Sequence, residues 1–230
     1  VLITGASGLV GVPTVERCLR EQAAKVIAVD IKFNKHLRNL QKQFPDRLNV
    51  LFKDLTYLDN CEDLFRDKIH IVLHLAGIKG NPNRAKHCPA DYLLPMVMFN
   101  TNMIKTSFDA GVDWFVYTSS VGVYEPSESM LEDDVWKTMP SQNDWYPGWS
   151  KRMGELTIES LAVQHQWKNW SIIRPSNIYG PNDNISLEST VIGSNVWKVF
   201  NSNDNTIECW GDGSPKRDFV YSNDVADAIV

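Results

Sequence analysis

Gly5, Gly8 and Gly11 follow a short apolar run, Val1 to Ile3, and lead into a stretch of helical composition. A turn of this type holds an anion with its backbone. Gly5 permits the tight turn after a strand, Gly8 lets the backbone approach phosphates, and Gly11 lets the new helix pack closely on a sheet. Three glycines alone often mark nothing more than a loop. Context decides here, because a helical stretch from Val12 to Glu21 is followed by a second apolar run, Val26-Ile27-Ala28-Val29, that ends in Asp30. A carboxylate ~20 residues beyond the glycines, at the tip of the second strand, stands where the ribose hydroxyls of a dinucleotide's adenosine half are bound. The alternative for Asp30 is a solvated turn residue. An acid at the ribose also repels a ribose phosphate, so NAD is favoured over NADP.

The elements that must position these residues alternate. Apolar runs predict strands at 1–4, 25–30, 48–52, 69–75, 114–118 and 170–174, with helices at 9–22, 35–43, 60–66, 91–110, 149–166 and 186–200. Such alternation implies an α/β fold, a parallel sheet covered on both faces that binds ligands at the carboxyl ends of its strands. Asp54-Leu55, Ala76-Gly77-Ile78-Lys79 and Thr118-Ser119-Ser120 follow the third, fourth and fifth strands.

A chain of 230 residues can bury a sizeable core. Its net charge of −5 comes without an Arg/Lys run, which argues against a nucleic-acid partner. No apolar stretch approaches ~18 residues and no secretory pattern is present, so no membrane span is expected and the chain reads as cytoplasmic. Cys18, Cys61, Cys88 and Cys209 are scattered without metal-ligand spacing and read as reduced thiols. His74 lies in an apolar strand and reads as a satisfied core histidine; no metal is inferred. The chain begins without Met inside a strand and stops within a helical pattern at Ala226 to Val230, which suggests part of a longer protein.

Six segments occur in a familiar order: TGASGLVG (4–11), HLAG (74–77), FVYTSSVGVY (115–124), SKRMGE (150–155), RPSNIYGPNDN (174–184) and GDGSPKRDFVYSNDVADA (211–228). In these the chain resembles the extended short-chain dehydrogenase/reductases, the NAD-dependent epimerase/dehydratase family acting on nucleotide sugars, most like the branch containing GDP-fucose synthase. The resemblance implies a Rossmann-type doubly wound sheet: an NAD-binding domain over 1–174, then a small, incomplete substrate-binding region over 175–230 interleaved with the sheet. It implies that Gly5, Ser7, Gly8, Leu9 and Val10 line the pyrophosphate, Asp30 and Ile31 the adenosine ribose, and Asp54 and Leu55 the adenine. Leu75, Ala76, Gly77 and Lys79 match the loop beside the cofactor, Thr118 lies under the nicotinamide, and Pro175 and Asn177 match the turn that touches the nicotinamide amide and the substrate. Arg217 corresponds to an arginine that clamps the diphosphate of a nucleotide-diphosphate sugar, a task suited to a guanidinium fork. The family also implies a homodimer through a four-helix bundle built from 91–110 and 149–166, with Met103, Met153, Leu156 and Leu161 as apolar candidates for the shared face.

The resemblance further implies a YxxxK acid/base pair on one helix, where residues four apart share a face and a lysine ammonium lowers the phenol pKa. Lys151 is that lysine, but four residues before it stands Pro147. Tyr146 is five residues away, ~140° round an ideal helix from the lysine. Pro147 suits a first helical turn, which would leave Tyr146 just outside the helix, free to reach the site. Ser120 matches the serine that hydrogen-bonds the substrate oxygen. The catalytic candidates are therefore Ser120, Lys151 and Tyr146. Other positions depart from the fucose-synthase pattern: Gly122 stands where a proton-transferring cysteine is expected, no histidine lies near Thr190, and Met96 replaces an asparagine, although Asn102 matches a second one. Glu125 and Asp133-Asp134 are weak substitutes for a dehydratase carboxylate. Trp149, inside a helix, reads as packing, and Trp210 as packing or as a stacking platform. A protein that binds NAD without turnover is the competing reading.

Overall fold

A computed structural model describes every residue except Phe33, Gly80, Asn81, Asn205, Trp210 and Pro215, and for residues 82 and 83 the backbone only. Six strands form one parallel sheet: β1 (Leu2–Thr4), β2 (Val26–Asp30), β3 (Leu48–Phe52), β4 (Ile71–His74), β5 (Trp114–Thr118) and β6 (Trp170–Ile173). Their spatial order is β3-β2-β1-β4-β5-β6, so the winding reverses between β1 and β4. That is the doubly wound order whose ligands bind beyond the carboxyl ends of the strands at the reversal.

Strand side chains alternate between the two faces, and two cores result. Leu2, Ile27, Val29, Val72, Phe115 and Tyr117 point to one side. There they meet α3 (Leu58–Glu62), α5 (Ala90–Asp109) and α6 (Trp145–His165) through Cys61, Met96, Phe99, Met103, Ile104 and Ile158. Ile3, Val26, Ala28, Leu73 and Val116 point to the other side, against α1 (Gly11–Arg20) and α2 (Lys35–Gln43) through Val12, Val15, Leu19, Leu37 and Leu40. Val225 and Ile229 of α8 (Ser222–Ile229) join this second core, so the end of the chain packs back onto the main sheet.

The short α4 (Pro82–His87), α7 (Val191–Asn201) and a two-stranded parallel sheet of β7 (Asn177–Tyr179) and β8 (Phe219–Tyr221) complete the fold. The sequence patterns missed β7, β8 and α4, elements of three to six residues; β1 is as short, but the glycine turn that follows it marks its place. α7 starts five residues later than expected because 186–190 form a turn that leads into it. Among the described residues no helix is long and apolar enough to cross a membrane.

α6 differs from expectation where it matters most for the site. It begins at Trp145 rather than at 149, with Asp144 as its N-cap. Pro147 is third in the helix, within the first turn where its missing N–H has no partner to lose. Tyr146 is therefore inside the helix, not before it.

Candidate functional site

The glycine turn is built against the opposite strand end. Gly5 has φ +66°, and a Cβ there would lie 2.8 Å from the Cα and N of Ala76, the residue that follows β4 by two. A Cβ on Gly11 would stand 2.1 Å from the Gly5 carbonyl oxygen. Both substitutions would force the turn apart. α1 starts without a side-chain cap and without an acid in its first turn. The Leu9 and Val10 amides have no backbone partner among the described residues, leaving the positive end of the helix for an outside anion.

Asp30 is fastened by both oxygens: the Ser7 amide donates to Oδ2 and the Lys32 amide to Oδ1, each at 2.9 Å. Ser7 Oγ donates to the Lys32 carbonyl at 3.0 Å. The carboxylate thus ties the glycine turn to the end of β2, at a cleft also lined by Lys32, Asn34, Arg38 and Phe52. Ile31 beside it is exposed. In the next loop Asp54 Oδ1 accepts from the Thr56 amide and hydroxyl, and Leu55 is buried. Asn102 on α5 donates from Nδ2 to the carbonyls of Leu55 and Thr56 at 3.1 and 3.0 Å. The asparagine matched by resemblance therefore positions the Asp54-Leu55 loop.

Lys151 is buried at the carboxyl ends of β4 and β5, where its Nζ donates to the Thr118 carbonyl at 2.7 Å and to the Ala76 carbonyl at 3.2 Å. A Cβ on Gly77 would sit 3.7 Å from Nζ, and the ammonium stands 5.1 Å from the Tyr117 ring centroid. Burial lowers its pKa to about 8, against a smaller raising effect of Glu155. Thr118 Oγ1 beside it is buried with no hydrogen-bond partner among the described residues. Ser120 continues from β5, and its Oγ accepts from the Gly122 amide at 3.1 Å, leaving the hydroxyl hydrogen free to donate. Lys79 turns aside from this group, pairing at 2.6 Å with Asp183, a buried carboxylate in the loop after β7.

The expectation for Tyr146 needs correction. Its carbonyl accepts from Ser150 Oγ at 2.9 Å, an i to i+4 contact of continuous helix. With both residues on one helix, the five-residue spacing turns Tyr146 ~140° away from Lys151. The freedom expected from a position outside the helix is absent.

Asn177 and Arg217 lie together. The Asn177 amide and Nδ2 both bond to the Asp218 carbonyl, at 3.2 and 2.9 Å, which fixes the segment carrying the exposed Arg217. Pro175 accepts through its carbonyl from the Val121 amide, holding the Ser120 turn to the end of β6. His74 is the satisfied core histidine expected: Nδ1 meets Thr4 Oγ1 at 2.7 Å and Nε2 meets Asn100 Oδ1 at 3.0 Å, and burial depresses its pKa to about 3. Trp149 packs edge-on against Trp145 and under the Arg152 guanidinium. Trp210 lies outside the described residues. Met103 is fully buried in the core, contrary to its expected place on a shared face, and Leu161 is half-buried against the same core. Met153 and Leu156 are exposed, as are Leu94 and Met98 of α5.

The sequence did not reveal the side chains that brace the site. Arg152 donates to the Val123 and Thr138 carbonyls, and Arg174 forms a two-pronged pair with buried Glu155 at 3.0 and 2.8 Å while also reaching Tyr124 Oη. The glutamate and Tyr124 hold the Arg174 pKa above its usual range. These contacts fix the long segment between Ser120 and α6.

Comparison with known proteins agrees with this geometry. Residues 1–230 match the NAD dependent epimerase/dehydratase family. The chain belongs to that family. It is 29% identical over 185 residues to the GDP-L-fucose synthase of Sinorhizobium fredii, covering 77% of this chain and 58% of the relative, so it spans less than two thirds of that protein's length. The UDP-glucose 4-epimerase of Thermotoga maritima, solved with UDP-glucose, has the same fold, with a TM-score of 0.81 at 24% identity over 99% of this chain and 71% of that one. MoeE5, solved in complex with UDP-glucose and NAD, gives a TM-score of 0.76 at 25% identity over 99% and 69% of the two chains. The features of this family member fit a dinucleotide: a turn with no room for a Cβ, a start of α1 without a side-chain cap, and a Thr118 hydroxyl with no partner among the described residues.

Proposed function

We propose that this chain is the dinucleotide-binding part of a nucleotide-sugar epimerase, dehydratase or oxidoreductase, with residues 1–174 holding NAD and 175–230 beginning the region that holds the nucleotide-diphosphate sugar. The observation that carries this reading is the Lys151 ammonium, buried and doubly anchored between Ala76 and Thr118 at the strand ends beside the glycine turn. A lysine is rarely buried without a task.

Each residue's work follows from its place. The amides at the start of α1, among them those of Leu9 and Val10, bind the pyrophosphate, and Gly5, Ser7 and Gly8 keep the approach open. Asp30 and Ile31 bound the adenosine ribose, Asp54 and Leu55 the adenine, and Leu75, Ala76, Gly77 and Pro175 the nicotinamide half. A nicotinamide dinucleotide, when bound, supplies the hydride acceptor or donor. Lys151 holds the nicotinamide ribose and sets a positive potential over the reacting end, Ser120 donates to the sugar oxygen, and Arg217 pairs with the diphosphate on a segment fastened by Asn177. Lys79 secures the loop beside the cofactor through Asp183.

Calorimetric titration of the complete protein tests the cofactor assignment. NAD should bind at least about tenfold more tightly than NADP, a difference of ~1.4 kcal/mol that one charge repulsion supplies. Asp30→Ala should narrow the gap, and Lys151→Ala should weaken NAD. Equal affinities for NAD and NADP in the wild type would contradict the role of Asp30. The exposed Leu94 and Met98 of α5 and Met153 and Leu156 of α6 support a second proposal, that two copies pair through these helices as a four-helix bundle.

A further inference from the structure

The helix that carries Lys151 starts with an aspartate that does not cap it. Asp144 occupies the N-cap position of α6, where a carboxylate ordinarily accepts from the second or third amide of the helix, yet its side chain makes no such bond. It also forms no other hydrogen bond or ion pair among the described residues. The carboxyl instead lies over Gly122: a Cβ there would meet Asp144 Cβ at 3.0 Å, Cγ at 3.3 Å and Oδ2 at 3.4 Å. The absence of a side chain at Gly122 is what makes room for this carboxyl.

That position is supported from several directions. The Ser141 amide donates to the Gly122 carbonyl and the Asp144 amide to the Ser141 carbonyl, which ties the 141–144 turn to the strand end. Gly148, one turn into α6, approaches so closely that a Cβ on it would stand 2.6 Å from the Gly122 carbonyl oxygen. Gly122 is in turn hydrogen-bonded to Ser120 Oγ. A carboxyl with no hydrogen-bond or ion-pair partner among the described residues is thus held over the residue two on from the serine placed on the sugar oxygen, while Tyr146 is turned from Lys151 and the buried Tyr117 phenol donates to the Lys151 carbonyl at 3.3 Å.

We propose that Asp144 is the catalytic acid/base of this protein, exchanging the proton of the sugar hydroxyl that the missing YxxxK tyrosine would otherwise handle. The inference rests on the nucleotide-sugar reading above. In the oxidative direction the sugar C–H and O–H bonds break and a C=O bond forms. The hydrogen on carbon leaves with its electron pair as hydride to the dinucleotide, and the hydroxyl proton passes to the Asp144 carboxylate and then to solvent. In the reductive direction the protonated carboxyl returns it. Asp144 is exposed as a residue and can trade its proton with solvent, while the partial desolvation of its carboxyl where it lies over Gly122 pushes its pKa upward. The charge that acts on it is Arg217, before β8, which opposes the rise; α4, the helix packed on 142–144, carries the basic residues Arg84 and Lys86 and the titratable His87.

The test uses the complete protein with NAD and nucleotide sugars, comparing Asp144→Asn with Tyr146→Phe. Asp144→Asn keeps the size of the side chain and removes no cap, so its melting temperature should match the wild type. It should lower kcat by on the order of 10²-fold or more with KM nearly unchanged, lose more than Tyr146→Phe, and abolish the acidic limb of the pH profile. Carboxyl carbon NMR gives a readout apart from turnover: the Asp144 carboxyl should titrate above the ordinary aspartate range, and Arg217→Gln should move it higher still. Wild-type turnover that survives Asp144→Asn within twofold, or a larger loss in Tyr146→Phe, overturns the proposal and leaves the enzyme reading standing. An ordinary titration unmoved by Arg217→Gln also overturns it. No wild-type turnover on any nucleotide sugar removes both readings together.

Discussion

Lys151 keeps an ammonium in a place where charge is costly, and the cost is visible as a pKa lowered to about 8 by burial. Its unfolded value is near 10.5, so between about pH 8 and 10.5 the unfolded chain binds the extra proton. Stability contributed by this group therefore rises with pH across that window. Urea denaturation of the cofactor-free protein should show the wild type gaining on Lys151→Met from pH 8 to 10.5; parallel profiles would contradict a lowered pKa. The cysteines act oppositely, since burial pushes Cys18 to about 11 and Cys61 to about 12, and comparison with the single variant cancels them. At this scale the sequence spoke clearly for glycines and Asp30, whose types are dictated by backbone geometry and by charge. It was silent on Asp144, because an aspartate before a helix reads as an ordinary cap and only coordinates reveal that the carboxyl points elsewhere.

The elements that hold the site fall into those with a periodic signal and those without. All six main strands are largely apolar runs that patterns locate within two residues at either end; β4 is shorter than expected because Ile69 and His70 precede its ladder. β7 and β8 carry Asn177 and the approach to Arg217, but three residues apiece, Asn-Ile-Tyr and Phe-Val-Tyr, are too few to show an alternation. The sequence places the start of α6 at 149, with Pro147 as punctuation of a first turn, whereas the capping position lies three residues before the proline. The segment between Ser120 and α6 depends on the Glu155–Arg174 pair, in which the glutamate side chain is 2% exposed and the arginine 17%. Glu155→Gln leaves a largely buried guanidinium without its counter-charge, at an expected cost of about 3 kcal/mol in unfolding free energy. Denaturant titration checks this, and a loss below about 1 kcal/mol would mean that Tyr124 and the Glu132 carbonyl suffice to hold Arg174.

For the whole molecule, the arrangement is a sheet with a different task on each side. One core, against α1, α2 and α8, supports the dinucleotide turn, while the other, against α5 and α6, carries Lys151, Asn102 and the exposed apolar stripe. If that stripe is the surface shared by two copies, Met153→Glu combined with Leu156→Glu should convert a dimer to a monomer in sedimentation velocity while leaving NAD affinity unchanged. A wild-type monomer at tens of micromolar would contradict the bundle. In the proposed reaction hydride passes between a sugar carbon and the dinucleotide, and a single-turnover experiment detects that transfer. The complete protein, preloaded with NAD and in excess, is mixed with GDP-, UDP- or dTDP-sugars and followed at the absorbance of NADH. A transient or lasting rise is expected with at least one of these sugars. NAD bound with no rise for any of them, and no NADH oxidation by the corresponding 4-keto sugars, would show a cofactor-binding protein without turnover.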